Sequence, residues 1–206
     1  MSNVKRQFIS MPYFLKLNEQ NLIYLDVLTY IALKSFDNPK AQCFPSYETI
    51  ASKARLSKDF VIDSIKRLKQ AKYIRVWRKY GFQSKNKSYS NQYYFLKHRK
   101  QDYSFMIPRE VLNDEALHAY EKAMLICLFQ FSFTPYELTG SIKTFADNLG
   151  LTYKMVYRQY NSLVAKGYID DTKLKKNKIT KLKIIDLDFT QYLKLKTKDE
   201  VILRVA

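Results

Sequence analysis

One property constrains the fold of this 206-residue chain more than any other: it contains the same stretch twice, 95 residues apart. Residues 46–74 read SYETIASKARLSKDFVIDSIKRLKQAKYI, residues 141–169 read SIKTFADNLGLTYKMVYRQYNSLVAKGYI, and the two align without a gap. Eight of the 29 positions are identical: Ser46/Ser141, Thr49/Thr144, Ala51/Ala146, Leu56/Leu151, Val61/Val156, Leu68/Leu163, Tyr73/Tyr168 and Ile74/Ile169. Most of them are apolar at helical spacing, so what repeats is a packing pattern. The offset extends upstream, where Ile31 matches Ile126, Leu33 matches Leu128 and Phe36 matches Phe131.

Each copy reads as the same series of elements. A first helix, about 20–36 and about 115–131, has apolar residues on more than one face and belongs at the centre of its module. Ser46 and Ser141 are N-caps of a short helix ending near Ala54 or Leu149, and Ser57 and Thr152 cap a longer one running to about Gln70 or Lys166. Val61 with Leu68, and Val156 with Leu163, lie seven apart and share the buried face of that helix. Two aromatic and β-branched runs follow, joined by a polar loop: YIRVWRKY and NQYYFLK in the first copy, GYIDDTKL and KLKIIDLDF in the second. A helix, a tight turn, a helix and a hairpin with a cationic tip make a winged helix-turn-helix. The expected fold is mainly α with small β (α+β): two tandem winged helix-turn-helix domains, the first over residues 1–100, the second over 101–190, and a tail over 191–206.

Charge narrows the partners. The chain carries 36 Lys and Arg against 19 Asp and Glu, a net +17. Residues 1–100 hold 20 of the basic and 6 of the acidic side chains. Between Asp63 and Asp102 twelve cations occur without one anion. A single-sign field of that kind is used to steer polyanions, nucleic acid first among them. Two cysteines, Cys43 and Cys127, and two histidines, His98 and His118, supply too few ligands for a zinc finger, so no metal is expected. No apolar run reaches the length of a membrane span, and the first residues lack a secretory pattern; both imply a cytoplasmic protein with no membrane partner.

The segment CFPSYETIASKARLSKDFVIDSIKRLKQAKYI (43–74), followed by SNQYYF (90–95), resembles the winged-helix domain of replication proteins of plasmids and phages of low-GC Gram-positive bacteria. In that pattern Phe-Pro-Ser opens the helix-turn-helix and a Ser-Asn-x-Tyr strand closes the wing. The likeness covers about residues 14–97 and, more loosely, 105–188. It implies a tandem winged-helix replication initiator that engages repeated origin sequences and recruits replication proteins such as a helicase or helicase loader. This chain departs from its own second copy at Arg55 and Lys72, which stand where Gly150 and Gly167 stand, at a cost of ~1 kcal/mol each where those positions are left-handed.

In a helix-turn-helix the second helix enters the major groove and presents its amino-terminal and outward residues to base edges. In the first copy these are Ser57, Lys58, Asp59, Ile62, Asp63 and Lys66; in the second they are Thr152, Tyr153, Lys154, Tyr157, Arg158 and Asn161. The second set has the character of a base reader, with Arg158 suited to guanine and Asn161 to adenine. The first copy would supply phosphate affinity through Lys66, Arg67, Lys69, Arg75, Arg78, Lys79 and the wing lysines Lys85 and Lys87. Lys175, Lys176 and Lys178 form a second wing tip that would touch phosphate. If both copies dock alike, a directly repeated module predicts directly repeated sub-sites about 10 bp apart or a multiple of it.

The four glycines are scattered and none is followed by Lys-Ser/Thr, so no phosphate-binding loop is present, and no nucleophile, base and pocket set emerges. The expectation is a double-stranded DNA-binding protein without enzymatic activity or cofactor. Two rivals use the same fold: a transcriptional regulator on a promoter operator, and a non-enzymatic interaction module in which the copies pair into a homodimer.

Overall fold

A computed structural model describes residues 8–38, 43–80, 89–96, 104–134, 137–170 and 179–182. Among them lie seven α-helices and eight short strands, all paired antiparallel. The mixed α+β class is as expected.

In the first copy α1 (Asp26–Lys34) is buried over almost its whole length, from Asp26 to Leu33. It starts later than the apolar pattern suggests. A 3-10 turn at Leu17–Gln20 ends in Asn21 at φ 54, and the Asp26 carboxylate then accepts the Ile23 N–H at 2.9 Å. Two helices pack on α1: α2 (Tyr47–Ala54), capped by the Ser46 hydroxyl on Thr49 N–H, and α3 (Lys58–Gln70), capped by the Ser57 hydroxyl on Phe60 N–H. The turn between them passes through Arg55 at φ 54, and Lys72 after α3 stands at φ 62. Non-glycine residues therefore sit in the left-handed region at both of these helix ends, as Lys16 and Asn21 do on either side of the 3-10 turn. The wing is a hairpin of β2 (Ile74–Tyr80) and β3 (Tyr89–Phe95), in register from Ile74↔Phe95 to Tyr80↔Tyr89.

The second copy follows the same path. A strand, β4 (Ser104–Pro108), and a single turn, α4 (Glu110–Asn113), lead into α5 (Ala119–Phe129), which is buried from Glu121 to Phe129. Ser141 caps α6 (Ile142–Leu149), and Thr152 caps α7 (Tyr153–Ala165). Gly150 and Gly167 occupy the left-handed positions at φ 68 and φ 78 that Arg55 and Lys72 fill in the first copy. The described parts of the wing strands are β7 (Ile169–Asp170) and β8 (Ile179–Leu182), and the rest of KLKIIDLDF and the tail 191–206 lie outside the described residues. Two further strands, β5 (Ser132–Thr134) and β6 (Glu137–Thr139), complete a sheet in the order β5-β6-β8-β7. In the first copy the corresponding edge is, among the described residues, the backbone bond from Tyr93 N–H to Cys43 O at 2.9 Å.

The copies are not separated at residue 100. The strand β1 (Phe8–Pro12) pairs with β4, from Phe8↔Pro108 to Pro12↔Ser104. Phe14 exchanges two hydrogen bonds with the Gln130 side chain, at 2.8 and 3.0 Å, and Arg109 donates to Ser35 O. Lys16 N–H reaches Asn148 O at 2.8 Å, while Lys53 Nζ reaches Asn113 Oδ1 at 2.7 Å and Arg55 pairs with Glu115 at 2.6 Å. Helix α1 packs against α5, and one apolar cluster runs through both copies from Ile9 to Ile169. Burying the modules against each other removes apolar surface from water that neither small module would cover alone.

Candidate nucleic-acid interface

The two second helices, α3 and α7, have the same amphipathic design. Val61, Ser64, Ile65 and Leu68 face inward on α3, and Val156, Tyr160 and Leu163 on α7. The outward faces carry the residues expected to meet DNA. Ser57, Lys58, Asp59, Asp63, Lys66 and Lys69 are exposed on the first; Thr152, Tyr153, Lys154, Tyr157, Arg158 and Asn161 are exposed on the second. Ser57 and Thr152 have their hydroxyls engaged in capping the first turns of α3 and α7.

The charge on those faces differs. On α3 each of three cations has an acid beside it: Lys58 pairs with Glu48, Lys66 with Asp63 at 2.8 Å, and Arg67 with Asp26. Hydrogen bonds from Lys58 hold the Glu48 carboxyl down to about 2, and those from Lys66 hold Asp63 below its ordinary value. On α7 no acidic residue occurs anywhere in the helix, and Lys154 and Arg158 project without an ion-pair partner among the described residues. Its face also carries Tyr153 and Tyr157, stacked one turn apart with ring centroids 5.7 Å apart and planes at 18°, both about half exposed. A helix presenting cations, an Asn and aromatic rings to water offers base-edge hydrogen bonds and apolar contact together. The α3 face instead offers exposed but locally balanced charge.

Arg67 has a partner within the fold. The run of cations places it with the phosphate-binding side chains, but its Nε and Nη2 grip the two oxygens of Asp26 at 2.9 and 2.7 Å, and that carboxylate is fully buried. Position 67 lies on the flank of α3 that leans over the start of α1, so its guanidinium works inside the fold. The second copy builds the same tie with other residues. Glu121 accepts from Ser162, from Lys166 at 2.6 Å and from His118 N–H at 2.9 Å. Burial pushes that carboxyl up, but the three donors outweigh it and hold it below its ordinary value.

Of the wing cations, Arg75 is exposed on β2, and Arg78 and Lys79 belong to the same strand. Lys85, Lys87, Lys175, Lys176 and Lys178 lie outside the described residues. One residue passed over in the sequence is Trp77, which is 64% exposed beside Arg75 on the outer face of β2. Its signal was available: in IRVWRKY the inward residues are Ile74 and Val76, which leaves Trp77 in phase with Arg75. Among the described residues no group of His, Cys, Asp and Glu is placed to hold a metal ion. His118 precedes α5, His98 is outside the described residues, and Cys43 and Cys127 are separately buried with their thiols pushed up to about 12 by desolvation. No described helix is long and apolar enough to cross a membrane.

A family model described as a helix-turn-helix domain matches residues 21–74, the span from Asn21 through α1, α2 and α3 to the first residue of β2. No curated protein and no solved structure matches the chain. The helix-turn-helix domain of the first copy thus rests on sequence and geometry together, and α5, α6 and α7 repeat its path.

Proposed function

We propose that the chain is a sequence-specific double-stranded DNA-binding protein without catalytic activity, in which α7 reads bases and the first copy with its wing contributes phosphate affinity. The observation that carries this reading is a pair of helix-turn-helix units whose second helices both turn polar, exposed faces outward in a chain of net charge +17. Arg158 and Asn161 on α7 are the base-reading pair, and Lys69, Arg75, Lys85 and Lys87 bind phosphates. The resemblance of residues 43–74 and 90–95 to plasmid and phage replication proteins supports a more specific role: marking a replication origin and recruiting a helicase or helicase loader. A promoter-binding regulator would use the same residues.

A salt-titrated gel shift and footprint test the first part, on duplexes flanking the chain's own gene and on a scrambled control. Affinity should fall log-linearly with salt. Arg158→Ala should lose discrimination between the duplexes by ~10- to 100-fold, and Lys85→Ala/Lys87→Ala should weaken both alike. Equal, unprotected binding to both duplexes would overturn the reading. The origin role is tested by whether the gene and its flanks sustain replication of a plasmid lacking any other origin, and whether Arg158→Ala abolishes it.

A further inference from the structure

The contacts between the two copies come in reciprocal pairs. With the 95-residue offset, Phe14 corresponds to Arg109 and Ser35 to Gln130. Phe14 bonds Gln130, and Arg109 bonds Ser35. Likewise Asn18 corresponds to Asn113 and Lys53 to Asn148, with Arg55 matching Gly150. Asn113 meets Lys53, and in the matching corner the same two segments meet two residues further on, where Asn18 lies so close to Gly150 that a Cβ there would fall 1.8 Å from its Oδ1. The β1–β4 ladder repeats the relation. Ser10 and Met11 correspond to Phe105 and Met106, and the register is Ser10↔Met106 and Met11↔Phe105. When residue i meets the counterpart of j while j meets the counterpart of i, the contact is isologous, and its operator is a twofold axis. The axis here lies inside one chain and passes through the β1–β4 ladder.

This arrangement replaces the direct-repeat expectation. A twofold sends two equivalent helices onto a duplex in opposite directions, as in dimeric helix-turn-helix proteins whose operators are inverted. Both helix-turn-helix turns, at Lys53–Arg55 and Asn148–Gly150, touch the opposite copy across the seam, so α3 and α7 begin at equivalent places on either side of the axis. Resting on the DNA-binding reading above, we infer that a single chain recognises a duplex carrying two half-sites in inverted orientation and of unlike sequence. The half-sites are inverted because the helices are related by the axis. They are unlike because α3 presents Lys58, Ile62, Asp63 and Lys66 where α7 presents Tyr153, Tyr157, Arg158 and Asn161.

The full chain is used to select from a random duplex library, and the selected half-sites are rebuilt as inverted and direct arrangements with centres about 10 and about 21 bp apart. One chain per duplex should bind an inverted arrangement at least ~10-fold more tightly than either direct one, because a reversed half-site presents the wrong base edges. A second selection uses Lys58→Tyr/Asp59→Lys/Ile62→Tyr/Asp63→Arg/Lys66→Asn, which gives α3 the outward residues of α7. Its selected site should become a palindrome, and the converse exchange on α7 should do the same with the other half-site. Equal or tighter binding to direct repeats, a direct repeat selected by the exchanged chain, or two duplexes held per chain would overturn the inference while leaving DNA binding intact. Selection of no sequence at all would overturn the DNA-binding reading and this inference with it.

Discussion

Removing the Arg67 guanidinium leaves the Asp26 carboxylate fully buried, with the Ile23 N–H as its remaining described donor. An uncompensated buried charge is among the most costly defects a fold can carry. Arg67→Met is therefore expected to lower stability by about 3 kcal/mol, read as a shift of the urea midpoint, while DNA affinity of the folded fraction stays within about twofold. Unchanged stability with weakened binding would return Arg67 to the DNA face. Lys122 poses the opposite problem, because the residue is 2% exposed and its ammonium donates to two carbonyls, Leu112 O at 2.9 Å and Asp114 O at 2.8 Å. Desolvation, helped by repulsion from Arg55, pulls its pKa from 10.5 down to about 8. The folded chain holds this proton less tightly than the unfolded chain does, so its contribution to stability should rise as pH climbs from about 8 toward 10.5. Buried thiols and then tyrosines set the upper limit: burial pushes Cys43 and Cys127 from 9.0 up to about 12, so above 9.0 the unfolded chain loses thiol protons that the folded chain keeps. Burial pushes Tyr73 up to about 12 and Tyr24, Tyr30 and Tyr93 higher still, so above an ordinary value of 10.0 the unfolded chain loses protons that the folded chain keeps. Denaturant midpoints measured from pH 7 to 11 should pass through a maximum between about 8 and 9. Lys122→Met should remove the rising limb, and a midpoint that falls steadily from pH 8 would refute the assignment.

At the scale of elements, the caps and left-handed turns define where each helix begins and ends. Lys72 at φ 62 sits where the second copy has Gly167 at φ 78, and its side chain is exposed. Lys72→Gly should stabilise the chain by about 0.5–1 kcal/mol, the strain relieved less the entropy that glycine adds to the unfolded state. Gly150→Ala should do the reverse. It would strain a φ of 68 and drive a Cβ into Asn18, so a loss of more than 1 kcal/mol in thermal or denaturant unfolding is expected. These features were legible because they are local. Ser46, Ser57, Ser141 and Thr152 all cap as their positions imply, and the buried faces of α3 and α7 follow the seven-residue spacing of Val61 with Leu68 and Val156 with Leu163. The strands were legible only in part. Nothing near Phe8 or Ser104 in the sequence specifies that those segments pair across some ninety residues, and Ser132–Thr139 carries too short an alternation to stand out. The same limit hid the role of Arg67, whose partner Asp26 is one helix away in space but 41 residues away along the chain.

For the whole molecule, the reciprocal seam decides whether the repeat behaves as two domains or one. The wing of each copy closes locally, but β1 finds its partner in β4, Phe14 is held by Gln130, and α1 and α5 pack together within one continuous apolar cluster. A chain cut between residues 100 and 101 would leave both strands of the β1–β4 ladder as unpaired edges, together with the apolar surface of α1 and α5 that the seam covers. Each part would be near the size at which a single core is marginal, and each would lack the surface that the twofold buries. The full chain should therefore unfold in one cooperative transition, with circular dichroism and Tyr/Trp fluorescence giving the same midpoint. Residues 1–100 and 101–206 expressed separately should either associate with each other or show the dispersed-signal loss of a molten state in amide NMR spectra. Two resolved transitions, or two halves that each give a full native spectrum alone, would mean that the seam contributes orientation without stability. The inverted geometry of the DNA site would then depend on the duplex to assemble it.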